Sequence, residues 1–280
     1  MKISRFKAAF GAEVTELDCS RIIDEETLCM LKEAFLEYSL LVFRNQNLTP
    51  DQQVLFSKNW GRLQRHILVQ YLLPDCPEIL VVSNKKDEEG NPVGISDAGR
   101  YWHTDISYNP DPPLGSLLYG IEVPKIGGDT MFASQYLAYR NLPSDIKSEI
   151  AGLQAYHYFN YSKLQKHESS ERKPLSKDQI NSLKGAVHPV VRIHPETKQP
   201  ALYVNPGFTQ KLERTSVACR PHLLNLLFDY ATSESVIYRH KWEPRDLVFW
   251  DNRCLMHHAT DYSSKDIRHM HRTTVLSQPK

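Results

Sequence analysis

A succession of short apolar runs, set far apart along the chain, limits the fold more than any other feature. "SLLVF" (39–43), "EILVVS" (78–83), "PLGSLLYGIEV" (113–123), "AVHPVVRIH" (186–194), "QPALYV" (199–204) and "HMHRTTVL" (269–276) each have strand length and strand composition. "SVIYRHKWEPRDLVFWDNR" (235–253) reads as strand, turn, strand, and "AVHPVVRIH" with "QPALYV" as the two strands of a hairpin. Helical patterns fall between these runs. Leu28, Leu31, Ala34 and Phe35 recur at helical spacing behind Asp24, a plausible N-cap. "NLTPDQQVLFSKNWG" (47–61) predicts a helix with Thr49 as N-cap, Pro50 at its first position and Gly61 after its end. Residues 134–143, 144–153 and 219–233 predict further helices. The regular strand–helix alternation of a doubly wound sheet is absent, and "GIEVPKIGG" (120–128) fits no nucleotide-binding fingerprint. A mainly β fold with flanking helices, a sandwich or jelly roll, is the expectation.

A chain of 280 residues with 41% hydrophobic content can bury a substantial core, and the expectation is one domain over 1–280. Two segments interrupt it, a charged, Gly-rich stretch at 84–100 and a polar, lysine-rich one at 161–185, both read as solvated inserts or lids. With 34 basic against 33 acidic residues, the net charge of +1 points to neither nucleic acid nor a membrane surface. Five cysteines (Cys19, Cys29, Cys76, Cys219, Cys254) are dispersed with no CxxC pair, which fits a reducing cytoplasm better than a disulfide framework or a structural zinc site. The opening "MKISRFKAAFGAEV" is too poor in apolar residues for a signal-peptide core, and no run approaches the length of a membrane span. Self-association through surface helices is left open.

Within "YWHTDISYNP" (101–110), His103 and Asp105 stand two apart. On an extended strand, residues i and i+2 share a face, so imidazole and carboxylate would project together. Such a pair can share a metal, act as acid and base, or form a polar strand end. A metal needs a third ligand; the adjacent His257 and His258 face opposite ways on a strand, so only one of them can join. Two histidines and a carboxylate with open positions form the facial triad of non-haem Fe(II) oxygenases, and zinc accepts the same donors. On the last strand Arg268, Met270 and Arg272 alternate onto one face, and His269 and His271 onto the other. An arginine fork there would hold a carboxylate by charge-assisted hydrogen bonds, with the Thr130 hydroxyl of "GGDTMF" as a further candidate.

"WHTDISYNPDPPLGSLLYGIEVPKIGGDTMFAS", "HPVVRIHPETKQPALYVNPGFT" and "DLVFWDNRCLMHHATDY" followed by "RHMHRTTVL" resemble the taurine and chlorophenoxyacetate dioxygenase family. "GAEVTELD" and "LLVFRNQNLTPDQQVLFSKNWG" are similar too, so the resemblance covers nearly the whole chain in order. It implies a double-stranded β-helix and an oxygenase using Fe(II), 2-oxoglutarate and O2 on a small, anionic organic molecule, with release of succinate and CO2. Carried over by position, it implies His103, Asp105 and His257 as metal ligands and Thr130 and Arg268 as the grip on the distal carboxylate of 2-oxoglutarate. Arg272 matches an arginine that meets the sulfonate in taurine-type members, and His66 matches a substrate-side histidine. Gly99 stands where those members carry asparagine, a departure that argues against taurine itself. Hydroxylation and desaturation, the latter including isonitrile-bearing amino-acid derivatives, are both outcomes of this chemistry. A zinc hydrolase and a non-catalytic β-sandwich binder are the rival readings.

Overall fold

A strand apolar on both faces needs cover on both. "LLVF" at 40–43 is fully buried along its length, and the architecture around it is correspondingly layered. The computed structural model describes residues 1–160, 174–213 and 222–277. Numbered along the chain, the largest sheet has the spatial order β1 (Lys2–Arg5), β2 (Ala12–Thr15), β3 (Leu40–Phe43), β14 (Leu247–Asp251), β6 (Gly115–Glu122), β16 (His269–Val275), β5 (Cys76–Ser83) and β4 (Leu72–Leu73). Its neighbours are antiparallel except β2 and β3. A three-stranded sheet, β13 (Ile237–His240), β7 (Thr130–Ser134) and β15 (Leu255–Ala259), faces it. A second triplet comprises β12 (Thr209–Glu213), β8 (Gln154–His157) and β9 (Ala186–Pro189), and β10 (Val191–Ile193) with β11 (Pro200–Leu202) forms a hairpin.

Alternation assigns the side chains to layers. Leu40, Val42, Leu118, Val248, Trp250 and Met270 point inward from the large sheet and meet Phe132 and Leu255 of the facing one. Their neighbours Leu41, Phe43, Leu117, Leu247 and Phe249 point outward, under α1 (Glu25–Tyr38) and α2 (Pro50–Lys58). The Phe35 and Phe249 rings stack there with centroids 4.0 Å apart. On the far side of the small sheet, α3 (Gln135–Asn141), α4 (Ser144–Ile150) and α6 (Leu223–Ala231) bury Ala138, Ile146 and Leu227 against Ala133 and Met256. The fold is thus mainly β with flanking helices, as expected.

The caps match the expectation: Asp24 accepts from the Thr27 N–H, and Thr49 forms a capping box with Gln52. One expectation differs. "AVHPVVRIH" is not one hairpin strand: it divides at Val190, β9 pairing with β8 and β10 with β11. Val190 is the junction: its N–H still bonds to the Leu153 carbonyl at 2.9 Å, while its own carbonyl accepts from the Tyr203 N–H at 2.7 Å. The 161–185 insert has a short helix of its own. It holds α5 (Lys177–Ser182), capped by Ser176 with Gln179 in an S-x-x-Q box; residues 161–173 lie outside the described residues. Segment 84–100 has neither helix nor strand. The described cysteines Cys19, Cys29, Cys76 and Cys254 are unbridged, and no helix among the described residues is long and apolar enough to cross a membrane.

Candidate active site

One edge of β15 pairs with β7, setting His257 opposite Phe132. Its other edge meets the single residue His103. The His103 N–H donates to the His257 carbonyl at 3.1 Å and the His257 N–H returns the bond at 2.9 Å. This reciprocal pair holds the two imidazoles with centroids 4.1 Å apart. His258 faces the other way, against Trp102. His103 Nδ1 donates to the Tyr101 carbonyl at 2.8 Å, which leaves Nε2 with its lone pair. Burial, then the neighbouring His103, push the His257 pKa well below that of a free imidazole, so this ring stays neutral.

Asp105 arrives by a route the strand pattern did not predict. The extended stretch ends at Thr104; Asp105 opens a turn whose next residue, Ile106, has φ of 53°. The turn swings the carboxylate back so that Oδ1 lies 3.7 Å from His103 Nε2. One ligand atom each from His103, Asp105 and His257 falls within 4.8 Å of the others. Burial alone would raise the Asp105 carboxyl, but Arg272 and His103 override it and hold the pKa well below the usual carboxylate range. The Arg272 Nη1 donates to Oδ1 at 2.8 Å, and the Ser116 hydroxyl donates to Oδ2 at 2.7 Å.

Met270 enters the inner core, Arg272 reaches Asp105, and Arg268, one residue before β16, turns its guanidinium to the Gly128 carbonyl. The two arginines have opposite circumstances. Arg272 has a carboxylate partner. Arg268 is 5% exposed and gives Nε to the Gly128 carbonyl at 3.2 Å, yet no carboxylate pairs with it among the described residues. The nearby Asp129 is taken by Arg239 at 2.7 Å. Burial pushes the Arg268 pKa down to about 10. A buried cation without a counter-charge is costly unless an anion completes it. Thr130 is buried, and its Oγ1 accepts from Trp242 Nε1 at 3.0 Å, so the hydroxyl proton is available to an acceptor.

Aromatic side chains stand beside the imidazoles, with Phe208 edge-on to both Tyr101 and His103 at 5.9 and 5.7 Å. Gly99, at φ +73°, sits against His103; a Cβ there would come within 3.2 Å of Cε1. His66 is half-buried, with Nδ1 accepting from the Leu68 N–H at 3.2 Å, and Leu68 packs in the apolar cluster that includes Phe208, Tyr101 and Tyr108. Ser116, Asn252 and Trp242 escaped the sequence reading. Ser116 carried a signal, being the one hydroxyl on the inward face of an otherwise apolar strand.

The donor chemistry fits Fe(II). One neutral imidazole, a second with a free Nε2 lone pair and an ionised carboxylate form the set that non-haem iron takes, and the buried His257 Nδ1 has no hydrogen-bond partner of its own.

The profile of the family described as "Taurine catabolism dioxygenase TauD, TfdA family" matches residues 2–274, and the chain belongs to that family. It is an α-ketoglutarate-dependent dioxygenase, an enzyme class that works with Fe(II), 2-oxoglutarate and O2. The chain is 33% identical over 280 residues to the (S)-phenoxypropionate/alpha-ketoglutarate-dioxygenase of Sphingobium herbicidovorans, covering 99% of this chain and 95% of the relative. It is 31% identical over 276 residues to the alpha-ketoglutarate-dependent 2,4-dichlorophenoxyacetate dioxygenase of Cupriavidus pinatubonensis, covering 95% of this chain and 94% of that one. Among solved structures, AAD-2 in complex with Mn(II) and N-oxalylglycine superposes with a TM-score of 0.82 at 29% identity, over 99% of both chains. Membership in this family leaves the zinc-hydrolase and non-catalytic readings without support.

Proposed function

We propose that the chain is a single jelly-roll oxygenase domain over 1–280 that oxidises a small organic anion, and that the residues brought together above are its active site. In this reading His103, Asp105 and His257 hold Fe(II), while Arg268 and Thr130 hold the distal carboxylate of 2-oxoglutarate. Its main support is the buried Arg268, a guanidinium with no carboxylate partner among the described residues, at the entry to the strand whose Arg272 contacts Asp105. Bound Fe(II), with 2-oxoglutarate and O2, supplies an oxidant able to remove a substrate hydrogen, with release of succinate and CO2.

The chain's own residues orient and exclude. The paired backbone bonds between His103 and His257 fix two imidazoles relative to each other. Arg268 offers a planar fork and Thr130 a directed hydroxyl proton, together a match for one carboxylate. Arg272 retains an Nε without a partner, in reach of a substrate anion while Nη1 holds Asp105. Tyr101 and Phe208 supply an apolar wall and keep water from the reacting carbon. An arginine beside such a wall suits an anion with an apolar body, and the relatives named for phenoxypropionate and 2,4-dichlorophenoxyacetate agree with that class. His66 is assigned to the substrate side, and the Gly99 position leaves room beside the His103 ring. Where the substrate carbon sits decides between hydroxylation and desaturation.

Anaerobic addition of Fe(II) and 2-oxoglutarate should produce a weak visible charge-transfer band, and admission of O2 should then release succinate. Across a panel of aryloxyacids, sulfonates, amino acids and isonitrile acids, coupled succinate release should favour anions with apolar bodies. A folded, iron-loaded protein that gives neither band nor succinate would refute the assignment.

A further inference from the structure

The "WDNR" turn contributes more than a route to His257. Trp250 Nε1 donates to Asn252 Oδ1 at 2.9 Å, Asn252 Nδ2 to Ser116 Oγ at 3.0 Å, and Ser116 Oγ to Asp105 Oδ2 at 2.7 Å. All four side chains are buried, none more than 3% exposed.

The direction of every bond follows from the first. An indole nitrogen can only donate, so Asn252 Oδ1 is the acceptor and its NH2 must face Ser116. The Ser116 oxygen then receives that N–H, which leaves its own proton for Asp105. Oδ2 is therefore held by the relay, while Oδ1, which also accepts from Arg272 Nη1 at 2.8 Å, is the oxygen that lies 3.7 Å from His103 Nε2. The head of the relay is anchored as well. The Trp250 ring packs on His257 with centroids 4.7 Å apart, and the Asn252 N–H donates to the Leu114 carbonyl at 2.9 Å. One turn thus sets the wall behind one histidine and, through two hydrogen bonds, the angle of a carboxylate 147 positions away in sequence (252 − 105).

We infer that Asn252 and Ser116 are positioning residues, a serial hydrogen-bond relay that presents Asp105 to the metal through Oδ1 alone. This rests on the proposed metal site. Groups that orient metal ligands from the outer shell typically change affinity roughly 10–100-fold when removed. A serial relay further requires that breaking one link already releases the next.

The test is Mn(II) affinity and the Co(II) ligand-field spectrum of the full chain under anaerobic conditions, with thermal melting as a check on folding. Ser116→Ala and Asn252→Ala should each weaken Mn(II) binding about 10–100-fold, and the double variant should be no weaker than the worse single. Asn252→Asp carries the test if either alanine variant fails to fold. It keeps the size and the acceptor for Trp250 but has no N–H for Ser116, so it should weaken Mn(II) binding and alter the Co(II) spectrum. Wild-type affinity in folded Asn252→Asp, or losses that multiply in the double variant, would overturn the relay. A wild-type chain that binds no Mn(II) would overturn the metal site itself and the relay with it.

Discussion

Among the described residues, two buried clusters bring a histidine, an aspartate and a third donor within metal-binding distance: His103, Asp105 and His257, and His194, Asp251 and Cys254. Only the first has donors to spare. In the second, His194 Nδ1 accepts the N–H groups of Glu196 and Thr197, so Nε2 carries the proton and donates to Asp251 at 3.1 Å. Arg253 grips both oxygens of Asp251, at 2.8 and 2.6 Å, and its Nη1 reaches Glu196 at 2.7 Å. Burial, then the charge of Asp251, push the Cys254 thiol far up, so no thiolate is on offer. Proximity of ligand-type residues is therefore a weak criterion; unspent lone pairs on them are the strong one. Each aspartate already has an arginine, Arg272 on Asp105 and Arg253 on Asp251; the difference is that both ring nitrogens of His194 are bonded, while His257 Nδ1 has no partner.

Substitutions in the two clusters should give opposite results. His257→Ala should cost Mn(II) affinity beyond the roughly 100-fold upper range of an outer-shell change, with little loss of stability. Asp251→Asn should do the reverse, removing about 3–5 kcal/mol of stability by leaving Arg253 and His194 without their buried partner, read as a shift in urea midpoint. It should leave one Mn(II) per folded chain; loss of that ion would erase the distinction.

Arg268→Ala sharpens the contrast from the cosubstrate side. It should weaken 2-oxoglutarate binding by about 1.5–3 kcal/mol for each charge-assisted bond removed. Because the guanidinium has no carboxylate partner among the described residues, melting temperature should not fall and Mn(II) binding should persist. Equal loss of metal and cosubstrate would make Arg268 structural.

The last prediction concerns acid. Burial lowers His157 to about 3 and His271 to about 4, from 6.5. Both are neutral in the native state, while the unfolded chain takes up their protons below 6.5. Stability should therefore be full above that pH and decline as pH falls, by up to about 1.4 kcal/mol per unit for each residue, until the native rings themselves protonate. Urea midpoints measured from pH 7 to 4.5 check the sign. A flat profile would mean that these rings are more solvated than their burial implies.

The convergence of His103, Asp105 and His257 was legible in the sequence largely because these residues lie in short motifs, while the partners around them were not. His103 and Asp105 stand out by spacing, although their convergence comes from a turn at Ile106 and not from an extended strand. Choosing His257 over His258 needed either the family resemblance or the backbone pairing with His103, since local sequence treats the two alike. That Met270 and Arg272 share a face was readable because a strand's period of two is unambiguous. Arg272's bond to Asp105 was hidden, as was the Trp250, Asn252, Ser116 relay, because each joins segments more than a hundred residues apart or turns on the direction of a proton. The split of "AVHPVVRIH" between two sheets has no local mark, because it turns on Val190 giving its N–H to Leu153 and its carbonyl to Tyr203. α5, by contrast, carried its S-x-x-Q cap inside a segment whose polarity suggested only solvent.

The most direct test is a crystal structure of the protein soaked with Mn(II) and N-oxalylglycine, with data collected for manganese anomalous scattering. One anomalous peak should lie among His103, Asp105 and His257, with the far carboxylate of the analogue on Arg268 and Thr130 and no peak beside His194. A peak at His194, Asp251 and Cys254, or an analogue carboxylate remote from Arg268, would contradict it.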